Sequence, residues 1–184
     1  MAPSQPVDTT RVWSLVQRLL HWTLAASVIA AFATHEGGGN WHEWTGYTAL
    51  ACAALRLVLG FARWPWAGKY ARFATFVKSP ATTLAYARSL FSGSEPRTLG
   101  HNPLGAWMVV TLLLTTLVAS LSGWLYTTDR FWGIEWVERL HSFFGHAFIP
   151  LVALHLGGVA FTSWRHQDNL VKAMLTGDKR IDHT

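Results

Sequence analysis

Four long apolar stretches interrupt the chain, at about residues 12–34, 44–62, 104–127 and 140–164. Each is near the ~20 residues that carry a helix across a bilayer. The first, second and fourth also hold internal His or Arg, which a simple lipid-facing anchor avoids. A long connection, residues 63–103, separates the two pairs. Within it, Thr82 to Phe91 has apolar residues at helical spacing, which predicts a short interfacial helix. No internal repeat and no second soluble domain is visible. The expected fold is all-α: one integral membrane four-helix bundle, residues 1–184.

Charge orients the bundle. Arg11 and Arg18 precede or open the first stretch. Arg63, Lys69, Arg72, Lys78, Arg88 and Arg97 lie in the long connection, and Arg165, Lys172, Lys179 and Arg180 in the tail. The connection 35–43 has no Lys or Arg, and the third connection sets Arg130 and Arg139 against Asp129, Glu135 and Glu138. The positive-inside rule then predicts both termini and the long connection on the cytoplasmic side. In a bacterium the chain would sit in the inner membrane, with the short connections facing the periplasm.

Composition adds to this picture. Charged residues are 14% and hydrophobic ones 51%, against roughly 25% charged in an average soluble protein. Most of the 11 tryptophans fall near stretch ends: Trp13, Trp41, Trp44, Trp64, Trp66, Trp132, Trp136 and Trp164 read as an aromatic belt. The net charge of +5 lies in connections between apolar runs, which points to a lipid surface and away from nucleic acid. Cys52 stands inside an apolar run and reads as a small core residue. The polar start carries no cleavage pattern, so no removable leader is expected.

The chemistry lies in the histidines. His166 and His183 are in the polar tail and His101 precedes Asn102-Pro103; solvated or loop-structural roles are expected for these. His141 and His155 are 14 residues apart on the fourth stretch. At ~100° and ~1.5 Å per residue they share a face to within ~40° and stand ~21 Å apart. Pro150, between them, is expected to kink the helix. His21 lies near the cytoplasmic start of the first stretch, and His42 opens the second at the opposite surface. Depth therefore pairs His21 with His155 and His42 with His141. A haem takes two axial ligands from opposite faces of a flat ring, which suits histidines on facing helices. Two bis-imidazole iron sites stacked across the membrane follow, with His21, His42, His141 and His155 as ligands.

Small residues stand four after three of these histidines, on the same face: Ala25, Gly46 and Gly145. Gly157 and Gly158 follow His155 closely. They leave room beside a ring, although close helix packing in lipid would select them too. Arg18 is three before His21, and Arg56 is 14 after His42. An arginine within a span needs an anionic or polar partner. Haem propionates or a quinone carbonyl are candidates, and snorkelling to the interface competes. His35, 14 residues after His21, competes with His42 but precedes the helix-fraying Glu36-Gly37-Gly38-Gly39-Asn40. His146 points ~140° away from His141 and reads as a core or interface polar residue. A structural zinc site usually gathers four ligands at one point, whereas depth splits these into two pairs.

With these residues the chain resembles the prokaryotic cytochrome b561 family, including the b-type cytochrome subunits of nickel–iron hydrogenases. The resemblance rests on Arg18-Leu19-Leu20-His21-Trp22, on His42 with Gly46, and on Arg56 with Gly60-Phe61. Gly100-His101-Asn102-Pro103-Leu104-Gly105, His141, His155, Trp164-Arg165 and Asp168-Asn169-Leu170 complete it. It implies a four-helix bundle with two haem b, ligated from the first, second and fourth helices, which favours His42 over His35. It further implies electron transfer between the quinone pool, such as ubiquinone, and a periplasmic partner. That partner would be a c-type cytochrome, a hydrogenase-like oxidoreductase or another redox protein, docking near Trp132, Glu135, Trp136 and Glu138. The alternative is a superoxide:quinone oxidoreductase, against which the short first outer connection counts. Whether the chain is a carrier or an oxidoreductase subunit stays open, and a homodimer is compatible with either.

Overall fold

A computed structural model describes residues 8–37 and 39–181. Gly38, residues 1–7 and the tail histidine His183 lie outside the described residues. The order of elements is β1 (Thr9–Arg11), α1 (Leu15–Ala33), α2 (Asn40–Phe61), two short 3₁₀ turns (Pro65–Ala67 and Lys69–Ala71) and α3 (Phe73–Phe76). Then come α4 (Pro80–Ser92), α5 (Pro103–Tyr126), α6 (Glu135–Arg165), α7 (Leu170–Thr176) and β2 (Asp178–Arg180). The fold is all-α apart from the two short strands. Four helices, α1, α2, α5 and α6, are long and apolar enough to cross a membrane.

Local chemistry starts these helices where it does. Ser14 caps α1 in a reciprocal box: its hydroxyl accepts from the Gln17 amide and its own amide donates to the Gln17 side chain. Asn102 caps α5 by accepting from the Gly105 amide at 2.7 Å, with Pro103 at the first helical position. Ser79 and Pro80 do the same for α4, the helix expected over residues 82–91, and Gly93 closes it at φ +65°. The helix α6 runs unbroken through Pro150. Having no N–H, Pro150 leaves the His146 carbonyl without its usual partner.

The bundle packs in the order α1 on α2, α2 on α5 and α5 on α6, with α4 against α5. Small and hydroxylated residues fill the contacts: Ala49, Ala53, Ala106, Ala119, Thr115, Thr116 and Ser122 are buried. Many large apolar side chains point outward, Ile29 at 68% exposure and Phe61 at 76%, while Leu59, Leu113 and Val137 are buried. Small residues let helix backbones approach closely in lipid, where greasy surface needs no burial. The inward hydroxyls are satisfied within their own helices, Thr116 on the Leu112 carbonyl and Ser122 on the Val118 carbonyl.

The two ends of the chain meet at one end of the bundle, here called the terminal end. There β1 pairs antiparallel with β2, Thr10 opposite Lys179. Asp168, 6% exposed, accepts from Arg97 at 3.0 Å and lies 3.6 Å from the Lys179 ammonium. Burial pulls the Lys179 ammonium below the usual lysine range, so Asp168 holds it charged. The Trp22 indole donates to the Met174 carbonyl, and the Arg18 guanidinium to that of Leu175. Trp13 is buried, packed with Val12 and Ala173, and so is not a belt residue. The other tryptophans of the expected belt stay exposed at helix ends. Asp168→Ala removes the carboxylate that the buried Lys179 ammonium faces, and removing one partner of a buried pair costs ~3–5 kcal/mol. Thermal unfolding in detergent should show a loss of that order, and a change below about 0.5 kcal/mol would contradict the role given to Asp168.

Candidate functional site

Two histidine pairs face each other at opposite ends of the bundle. At the terminal end, His21 of α1 meets His155 of α6, ring centroids 6.4 Å apart and tilted by 51°. At the opposite end, His42 in the first turn of α2 meets His141 near the start of α6, centroids 5.8 Å apart and nearly perpendicular. These are the partners that depth and helix phase select. Two imidazoles trans on one metal, each nitrogen ligating at roughly 2 Å, have centroids on the order of 6 Å apart. Both pairs have that spacing.

The rings are held differently. His42 Nδ1 lies 2.9 Å from the Ala31 carbonyl of α1, and His141 Nδ1 lies 2.8 Å from the Ala119 carbonyl of α5. Each Nδ1 must carry the proton to donate there, which leaves Nε2 with the lone pair. His21 Nδ1 is buried without a partner. Room beside the pairs is open: a Cβ added at Gly46, Gly145, Gly157 or Gly158 would meet nothing within 4 Å. Gly123 of α5 is the contrary case, its missing side chain being the place where the His141 ring lies. Neither the two carbonyl acceptors nor Gly123 is readable in sequence, since both contacts join residues distant along the chain.

The competing histidines are occupied elsewhere. His35 lies beyond the end of α1, its Nδ1 on the Phe32 carbonyl and its ring stacked on Phe32. His146 is exposed rather than in the core, its Nδ1 2.8 Å from the Ser142 carbonyl of its own helix. Among the described residues no three His, Cys, Asp or Glu side chains gather as a metal cluster.

The two arginines end on protein partners. Arg56 donates to the Ala71 carbonyl at 2.9 Å and lies 5.0 Å from the Phe73 ring centre. Arg18 reaches the Leu175 carbonyl, and its Nε is buried without a partner. His101, on the connection before α5, is not solvated. Its ring packs against Trp13 at 4.7 Å and Phe76 at 4.5 Å, and its Nδ1 is buried and unpaired. Burial first, then Arg56, Lys179, His155 and His21, push its pKa down to about 3.

An apolar bundle with a facing histidine pair at each end defines a membrane protein with sites suited to a flat, axially ligated metal cofactor. The family model described as prokaryotic cytochrome b561 matches residues 12–177, and the chain belongs to that family. It is therefore a transmembrane electron-transfer cytochrome that binds haem b. No curated protein and no solved structure matches the chain.

Folded His101 stays neutral down to about pH 3, while the unfolded chain takes up its proton near pH 6.5. Stability from this residue is therefore full above pH 6.5 and falls as pH drops, at up to ~1.4 kcal/mol per unit. Wild-type melting temperature should decline more steeply than that of His101→Gln between pH 7 and 5. Parallel curves would refute the assignment.

Proposed function

We propose that this chain holds two b haems, one between His21 and His155 and one between His42 and His141, and links the quinone pool to a redox partner on the periplasmic side. The observation that supports this best is the pair of His–His contacts at 6.4 and 5.8 Å at the two ends of one bundle. Haem supplies a one-electron ferric–ferrous couple. The protein residues supply the rest: His42 and His141 present Nε2 because their Nδ1 protons are bound by carbonyls, and the glycines leave room for a flat ring.

The terminal end is assigned to the cytoplasm, because Arg11, Arg18, Arg63, Lys69, Arg72, Lys78, Arg88, Arg97, Arg165, Lys172, Lys179 and Arg180 belong to it. Quinone exchange is placed beside the His21/His155 pair, where Arg56 and His101 gather. Arg18 and Arg56 are assigned to haem propionates or to the quinone carbonyl, adding to the protein contacts they already make. The periplasmic partner, a c-type cytochrome or hydrogenase-like oxidoreductase, docks on exposed Trp132 and Trp136. Superoxide:quinone oxidoreduction is the less supported reading. Arg139 is paired with Glu135 and Arg130 lies over Phe131, so no free cationic patch forms there among the described residues.

Purified protein should contain two b haems by pyridine haemochrome assay. His141→Ala should keep one, while His35→Ala and His146→Ala keep both. Wild-type protein without haem, or His141→Ala with two, would sink the proposal. A C-terminal reporter active only in the cytoplasm should be active, and an inactive one would reverse the orientation.

A further inference from the structure

The two pairs differ in what holds their second ring nitrogen. His42 and His141 each place Nδ1 on a carbonyl of a helix they do not belong to, at 2.9 and 2.8 Å. Among the described residues neither His21 nor His155 has such an acceptor, and His21 Nδ1 is buried without any partner. The asymmetry at His141 depends on one residue of α5, the spanning helix that carries no histidine. A Cβ on Gly123 would stand 2.9 Å from His141 Cε1 and 3.0 Å from its Nδ1. Real side chains do not tolerate that approach to a ring held between two helices. Any residue larger than glycine at this position drives the imidazole off the Ala119 carbonyl.

We propose that Gly123 is a positioning residue for His141. The carbonyl bonds of His42 and His141 would then make a haem held between them the lower in reduction potential of the two. This rests on the two-haem reading above. A hydrogen bond from Nδ1–H to an acceptor raises the basicity of the metal-binding nitrogen. A more basic ligand favours ferric over ferrous iron and lowers the potential.

The test is an optical potentiometric titration of purified, haem-loaded, full-length protein. His21→Ala, which keeps the His42/His141 site, and His141→Ala, which keeps the other, assign the two midpoints. The lower midpoint should survive in His21→Ala. Gly123→Ala should raise that midpoint and leave the higher one in place. The proposal is overturned if the lower midpoint belongs to the His21/His155 site, or if Gly123→Ala moves neither midpoint or both equally. Should Gly123→Ala fail to accumulate, combining it with His141→Ala removes the clashing ring. Accumulation should then return to that of His141→Ala alone, and continued failure would show a general packing role instead. Wild-type protein without haem would overturn the two-haem reading itself, a result distinct from all of these.

Discussion

Everything at the two sites depends on α6 remaining a single helix. His141 and His155 stand on it 14 residues apart, and only an unbroken helical ladder turns that spacing into one face and ~21 Å of separation. Pro150 removes one rung of the ladder. In a bilayer the freed carbonyl has no water to turn to, so the helix must tolerate the gap without losing its phase. It does so here: both of its histidines meet partners, one on α1 and one on α2.

The packing around α6 follows from the same solvent. Lipid rewards no burial of Leu or Phe, so many large apolar side chains face outward and small residues such as Ala, Ser and Thr fill much of the helix contacts. One consequence is functional. Close approach of α5 to α6 puts backbone carbonyls within reach of side chains, and Ala119 thereby becomes an acceptor for His141. A thicker interface built on large residues would hold the helices too far apart for that bond.

At the terminal end the chain behaves like a small soluble protein. The strand pair, the Asp168 ion pairs and the buried Trp13 form a clasp that ties the start of α1 to the end of α6 through α7. The clasp also packs Trp13 on His101 and offers the Leu175 carbonyl to Arg18. Polar residues that a bilayer alone would expose to hydrocarbon are thus provided with carbonyl and ring partners.

Much of this was written in the chain itself. Apolar run length defines spanning helices because backbone satisfaction in lipid permits little else, and the 3.6-residue period places His141 and His155 on one face. The Ser14, Asn102 and Ser79 caps are local chemistry and can be read at their positions. What periodicity does not carry is contact between residues far apart in sequence. Trp13 and His101 look like belt and loop residues until strand pairing and α3 bury them. Arg56 looks like a lone charge until the Ala71 carbonyl arrives from the connection. Gly123 looks like any glycine in an apolar helix until the His141 ring occupies the space its side chain would need. Sequence determined which side chains could meet at each depth; tertiary structure alone decided which backbone groups would hold them, because carbonyls carry no signature in residue type.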